Sequence, residues 1–357
     1  MTDRPSLPGM SVPTLADILQ LLRPRLSQAL LSGDGMQDVL ACARELPSAA
    51  AQTGFALEFR CESQDPVADL SLLTRRGCAV SNHFIARGEV EGADAAAVAL
   101  SSLFRQTERD DTLHSRAVGG IALEFDIAHS PPRGASPGIF VSPPEFRGDP
   151  STGYADPGRL VAALAAAGCP EHAGDRGAIE SIFAALPPGA SVSHGGLFPA
   201  REPAIIRLNV AGVEQAGISS FLGRLGWPGA PDPAIEVLSD FRDLTPWFRV
   251  ALDIYDGSIV PRLGLEVCQQ MPRYKLGGDT GIWRRFIDRL EERQWCRPDK
   301  AAGLRAWPGW EVVFDGTGAF TAYRAIHHFK FDIRDEKIAA RAYLFTLFRP
   351  VPGGQRA

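Results

Sequence analysis

The sequence predicts an α+β fold: a ten-stranded antiparallel β-barrel, built from about five ααββ units with the helices outside. Three observations predict it. Short runs with every second residue apolar recur in pairs, with turn residues between the members, which is the pattern of antiparallel hairpins. Stretches with apolar residues at helical spacing fill the intervals between pairs. Each strand shows one apolar face, and the helices carry enough apolar surface to cover it.

In chain order, Leu15, Ile18, Leu19 and Leu22 share a helical face, as do Met36, Val39, Leu40 and Leu46. The first strand pair falls near 54–61 and 67–73, "GFALEFRC" and "VADLSLL". A helix over 92–106 follows, with Leu100, Leu103 and Phe104, and then a second pair near 119–127 and 138–142. Asp156 and Pro157 open a helix as N-cap and first helical residue, and Gly168 closes it. The next helix carries Ile179 and Phe183, before a third pair near 190–195 and 203–211. Ile218, Phe221, Leu222 and Leu225 run to Gly226, and Asp232-Pro233 starts the following helix, with Ile235 and Leu238. The fourth pair is "FRVALDIYDGSIVPRLGLEV", residues 248–267, turning at Asp256-Gly257. Ile282, Phe286 and Leu290 then mark a helix, and a short one begins at Pro298 and ends before Pro308-Gly309. The fifth pair lies near 325–333 and 337–347. These units recur every 60–70 residues as an architectural rather than a sequence repeat. Residues 14–347 are expected to form one domain, with 1–13 disordered or extended and 348–357 a flexible tail.

An open sheet, helices on one face and water on the other, gives the same alternation. Ten strands are unusually many for one open sheet, which favours closure, and closure also removes exposed edges. A ten-stranded barrel is wider than the eight strands that side chains just fill, so its polar face is expected to line a chamber.

Composition narrows the function classes. The net charge is −5, against a general nucleic-acid or anionic-membrane binder, which needs a positive footprint. No apolar run reaches the roughly 18 residues of a membrane span, and "MTDRPSLPGMSVP" lacks the basic and apolar regions of a signal peptide, so a cytoplasmic protein is expected. The six cysteines are scattered without a C-x-x-C pair and read as free, mostly buried thiols. Neither cysteines nor histidines cluster as zinc ligands do. "GASPG" at 134–138 matches G-x-S-x-G in form, but Pro137 has no N–H for an oxyanion hole and a strand follows. "GGDTG" at 277–281 reads as a lead into a helix capped by Asp279 or Thr280. "SHGG" at 193–196 reads as a turn, with His194 at a pocket edge. His327 and His328 are adjacent on a strand, so they are expected to point to opposite faces. Most of the six tryptophans read as packing residues.

Strand parity then selects the inward residues. On the first strand Phe55, Leu57 and Phe59 take the apolar face, leaving Glu58 and Arg60 on the other. By the same rule Glu124, Arg207, Asn209, Asp253, Arg262, Glu266, His328, Lys330, Asp332, Arg341 and Tyr343 share the polar face.

This order of elements resembles the ABBA-type prenyltransferases, the αββα barrels that act on aromatic or peptide acceptors. The resemblance covers residues 14–347 at the level of element order. "RAY" at 341–343 is similar to the basic-x-Tyr fragments on that family's strands, though the full basic-x-basic-x-Tyr signature is absent. The resemblance implies a chamber that takes an allylic isoprenoid diphosphate and an aromatic or peptide acceptor. Arg60, Arg207, Arg262, Lys330 and Arg341 would bind substrate, with Tyr343, His328 and Glu266 nearby. Glu58, or else Glu124, would orient or deprotonate the acceptor. A diphosphate needs convergent cations, and fixed ones lower the barrier as the leaving group gains charge. Side-chain cations make a metal unnecessary, with Mg2+ at most an accessory, and Asp110-Asp111 does not begin an aspartate-rich motif. Two rivals stay open. One is a non-catalytic binding protein of natural-product or peptide maturation on the same barrel. The other is an enzyme using Glu124, Asp126 and His328 for acid–base chemistry.

Overall fold

A computed structural model describes residues 13–93, 95–109, 116–127, 137–146, 152–169, 173–201, 204–245, 247–268, 280–314 and 318–351. The elements run α1 (Leu15–Leu22), α2 (Gly33–Ala43), α3 (Ala50–Thr53), β1 (Phe55–Arg60), β2 (Asp69–Arg75), α4 (Ala79–Arg87), α5 (Ala95–Glu108), β3 (Gly120–Phe125) and β4 (Gly138–Ser142). Next come α6 (Pro157–Ala166), α7 (Ala173–Ala185), β5 (Ser191–Phe198), β6 (Ile205–Ala211), α8 (Ile218–Leu225), α9 (Asp232–Asp240), β7 (Trp247–Tyr255) and β8 (Ser258–Cys268). The last unit is α10 (Thr280–Glu292), α11 (Pro298–Ala306), β9 (Gly309–Phe314), β10 (Ala319–Arg334) and β11 (Lys337–Pro350).

The sheet closes. Its order is β11-β1-β2-β3-β4-β5-β6-β7-β8-β10, and β10 pairs again with β11, so ten antiparallel strands form a barrel. β9 lies outside this ring on the upper part of β10. The closing seam joins β1 to β11, with Phe55 opposite Thr346 and Arg60 opposite Arg341.

The apolar strand faces turn outward under the helices, as the alternation requires. Phe55, Leu57, Phe59, Leu208, Leu263, Leu265, Phe329 and Phe331 are fully buried. On this outer layer Phe286 of α10 stacks on Phe329 with centroids 4.6 Å apart and on Phe241 at 3.9 Å. Local signals set the ends of several elements. The Asp156 side chain accepts from the backbone N–H groups of Gly158 and Arg159, and Gly226 ends α8 in the left-handed region. Asp256 and Gly257 both have positive φ, 47° and 71°, the backbone that a tight hairpin turn demands.

Several expectations need correction. "SHGG" is part of β5, not a turn. Residues 309–314, given no element by the sequence pattern, form an eleventh strand. Between β2 and β3, α4 precedes α5 among the described residues; sequence reasoning missed it because its weakly amphipathic sequence hides its period. Trp227, Trp283 and Trp307 pack, but Trp310 is 61% exposed. Ser136, Asp279 and the pair Asp110-Asp111 lie outside the described residues, as do 1–12 and 352–357. Among the described residues, no helix is long and apolar enough to cross a membrane. Five described cysteines are free.

Candidate active site

All ten sequence-selected site residues stand on the inner wall of the barrel. Glu58, Arg207, Glu266, His328, Lys330 and Tyr343 are buried there, while Arg60, Glu124, Arg262 and Arg341 are half-buried. Ser71, Leu73, Ala122 and Glu124 sit on inward positions of β2 and β3 and keep partial exposure, so solvent reaches the interior.

Toward the hairpin-turn end the charges join into one chain. Arg207 Nε donates to Asp253 Oδ1 at 2.6 Å, and its Nη2 donates to Oδ2 at 2.9 Å. Arg262 donates to the same Asp253 at 2.5 Å and to Asp332. Arg341 pairs with Asp332 at 2.7 Å and also with Glu58. Arg207, Asp253, Arg262, Asp332, Arg341 and Glu58 thus alternate in sign along the wall from β6 to β1. Deeper in, Glu266 accepts from Asn209 at 3.1 Å and faces Lys330 at 3.5 Å and Arg249 at 3.7 Å. Burial alone would raise the Glu266 carboxyl. Lys330, His328 and Arg249 outweigh it and hold the group at about 2.

Gly264 makes the Lys330 placement possible. A Cβ there would lie 2.9 Å from the Cβ of Ala251 and 3.1 Å from Cε of Lys330. Gly264→Val is expected to destabilise the protein by about 1–3 kcal/mol through overpacking, read as a lower urea midpoint at unchanged m-value.

Glu124 differs from the other acids. Among the described residues no hydrogen bond or ion pair holds it. Burial first, and then repulsion from Glu58, push its carboxyl up to about 7, against the opposing pull of Lys330, Arg207 and Arg201. The neighbouring wall is aromatic. Gly138, opposite Glu124, lies beneath the ring of Phe198, and Gly196 beneath that of Phe140. The two rings meet edge to face at 5.3 Å. The Arg207 guanidinium sits 4.9 Å from the Phe198 centroid. Arg201, 3.6 Å from that ring, pairs with Asp126 at 2.7 Å.

A β-bulge between Ile326 and His328 overturns the expected placement of the two histidines. The extra residue shifts the parity, so His327 joins His328 on the interior side. Their Nδ1 atoms are 2.7 Å apart, and one must donate to the other, so the pair cannot be doubly charged. Burial lowers His327 to about 4 and holds His328 well below its ordinary value, with His327 acting in the same direction on it. His328 stacks on Tyr343 with centroids 3.9 Å apart. Burial, then Glu58, raises the Tyr343 phenol well above its ordinary value, so it remains a proton donor. His194, on β5, is likewise interior and neutral, lowered to about 3 by burial. Phe140, Phe198 and His327 are interior residues that sequence reasoning missed. Parity on β4 would have found Phe140, while the bulge that turns His327 inward leaves no sequence signal. Among the described residues no group of three His, Cys, Asp or Glu side chains is arranged to hold a metal ion.

No family model matches the sequence, and no curated protein matches it. Among solved structures the chain is similar to AnaPT from Neosartorya fischeri. The TM-score is 0.48 at 13% sequence identity, over 97% of this chain and 94% of that one. The closed barrel described above rests on its own strand pairing.

Proposed function

We infer that the protein is a prenyltransferase-type enzyme that alkylates an aromatic or peptide acceptor with an allylic diphosphate inside the barrel. One observation carries this reading: Glu124, without a partner, faces Arg207 and Lys330 across an enclosed, partly aromatic interior. In the proposed step the C1–O bond of the allylic diphosphate breaks, and the oxygen keeps the electron pair. Arg207, Arg262, Lys330 and Arg341 hold the pyrophosphate as its charge grows. The faces of Tyr343, Phe140 and Phe198 favour the allylic cation. An electron pair of the acceptor forms the new bond to C1, and the acceptor's proton passes to Glu124. Glu58 orients the acceptor.

Each of the four cations already holds a carboxylate. In this reading Asp253, Asp332, Glu58 and Glu266 are counterions that keep the guanidiniums and the ammonium in place, and phosphate oxygens take over part of their hydrogen bonds. The same balance favours a second reading, a non-catalytic chamber for a neutral or basic ligand from natural-product or peptide maturation. Calorimetry with dimethylallyl, geranyl and farnesyl diphosphates separates the two. The enzyme is expected to bind at least one of them and to release pyrophosphate when a panel of indoles, phenols and tryptophan- or tyrosine-containing peptides is added, with EDTA changing the rate less than twofold. No heat and no pyrophosphate across the panel would leave the binding protein as the better account.

A further inference from the structure

β9 continues the inner wall of the barrel beyond its mouth. Register shows this: Tyr323 lies opposite both Trp310 of β9 and Leu347 of β11, and Ala325, two residues on, lies opposite Phe345. Paired residues share a face, and so do residues two apart. Trp310, Val312 and Phe314 therefore stand on the same face as Tyr323, Phe345 and Tyr343, the last of which lines the interior. These three β9 side chains are 61%, 49% and 72% exposed. The sheet order ends at β9, so among the described residues its outer backbone edge has no strand partner.

Such an edge is ordinarily guarded by a charge, a proline or a bulge. β9 has none on its exposed face. Its acid, Glu311, is on the other face, where Arg25 at 2.7 Å and Arg324 at 3.6 Å tie it to the barrel. The strand is thus held in place without an occupant, with apolar side chains at alternate positions and backbone groups open to pairing.

We propose that this apron docks an extended peptide as an added strand on β9, so that the peptide acceptor of the preceding section is led toward the interior. The proposal rests on that reading for its purpose but not for its binding chemistry. Strand addition uses main-chain hydrogen bonds for affinity and alternate side chains for selection, which matches what β9 offers. Three side chains on one strand fall well short of the roughly 1,200 Å² that a stable dimer buries, so a peptide fits better than a second copy. The favoured peptide is extended, with apolar residues at every second position.

The test is fluorescence anisotropy of the full chain with a labelled nine-residue peptide that alternates valine and threonine around one tryptophan. No diphosphate is present, so failure of the chemistry leaves this readout intact. Saturable binding is expected, together with slowed amide exchange in β9. The Trp310→Ser/Phe314→Ser double variant and, separately, Val312→Lys should each weaken binding at least tenfold while keeping the parent's unfolding midpoint. N-methylation of alternate peptide amides should do the same. Equal binding by parent and variants, or by the N-methylated peptide, overturns the proposal. A concentration-dependent dimer in sedimentation that Val312→Lys abolishes also overturns it, and would assign the surface to a second copy. Peptide binding on β9 with no pyrophosphate release from any acceptor would instead defeat the proposed reaction and leave the docking strand standing.

Discussion

Glu124→Gln is expected to lower kcat/KM by at least about 100-fold, the usual scale for loss of a positioned proton acceptor. The substitution keeps the shape and removes the charge. The parent's rate is expected to rise with pH through about 7, because the ionised carboxylate is the competent form and its value is about 7. The variant should lose that limb of the profile. Stability reads the same group with the opposite slope. In the unfolded chain the carboxyl ionises near its ordinary value of 4.5. Between that pH and about 7 the folded protein retains a proton that the unfolded chain gives up. Stability from this group is therefore complete below about 4.5 and lost as pH rises through about 7. Urea titrations at pH 5 and pH 8 should show the parent losing stability relative to Glu124→Gln. An identical difference in both proteins would remove Glu124 from the account, whatever the activity shows.

Asp332→Ala is expected to cost about 3–5 kcal/mol, because it leaves two inward guanidiniums without their shared counterion. Arg262 and Arg341 both bond Asp332, and each keeps only one carboxylate after its loss. Solvent that enters the interior should hold the cost toward the lower end of that range. Asp332 itself lies below its ordinary 3.8: burial would raise it, but Arg341 and Lys330 prevail. Its contribution is thus present above about pH 4 and fades as pH falls through the depressed value. Denaturation in urea, compared at pH 7 and pH 3, checks both statements. The parent's advantage over Asp332→Ala should be smaller at the lower pH. If diphosphate binds as proposed, adding it should narrow the gap at pH 7, since phosphate oxygens replace the missing anion on Arg262 and Arg341. A gap that diphosphate leaves unchanged would put its site elsewhere on the wall.

Inward and outward residues were legible in the sequence because alternation is a local property of a strand. Glu58 against Phe59, Lys330 against Phe331 and Arg341 against Ala342 separate by parity alone, and the barrel places them accordingly. The element order, two helices and then a hairpin, was legible for the same reason. It depends on periods of 2 and 3.6 residues and on caps such as Asp156 and Gly226. β9 and α4 escaped because each is short or weakly patterned. Each is held by its packing more than by its pattern, β9 by β10 and by Glu311 against Arg25, α4 by α5.

Tertiary structure alone decided closure, charge pairing and the histidine bulge. Arg341 meets Glu58 across a separation of 283 residues, and Arg262 meets Asp332 across 70, distances at which no local pattern speaks. Glu58 stands two strands from Glu124 on the same wall and raises it, and closure brings Lys330 of β10 and Arg207 of β6 round to pull against it. A single unpaired residue in β10 turned His327 inward, because a bulge resets parity at a point that neighbouring strands select. The sequence by itself therefore determined which side chains face in. The fold decided what each one meets there, because electrostatic partners are set by distance in space and alternation is set by distance along the chain.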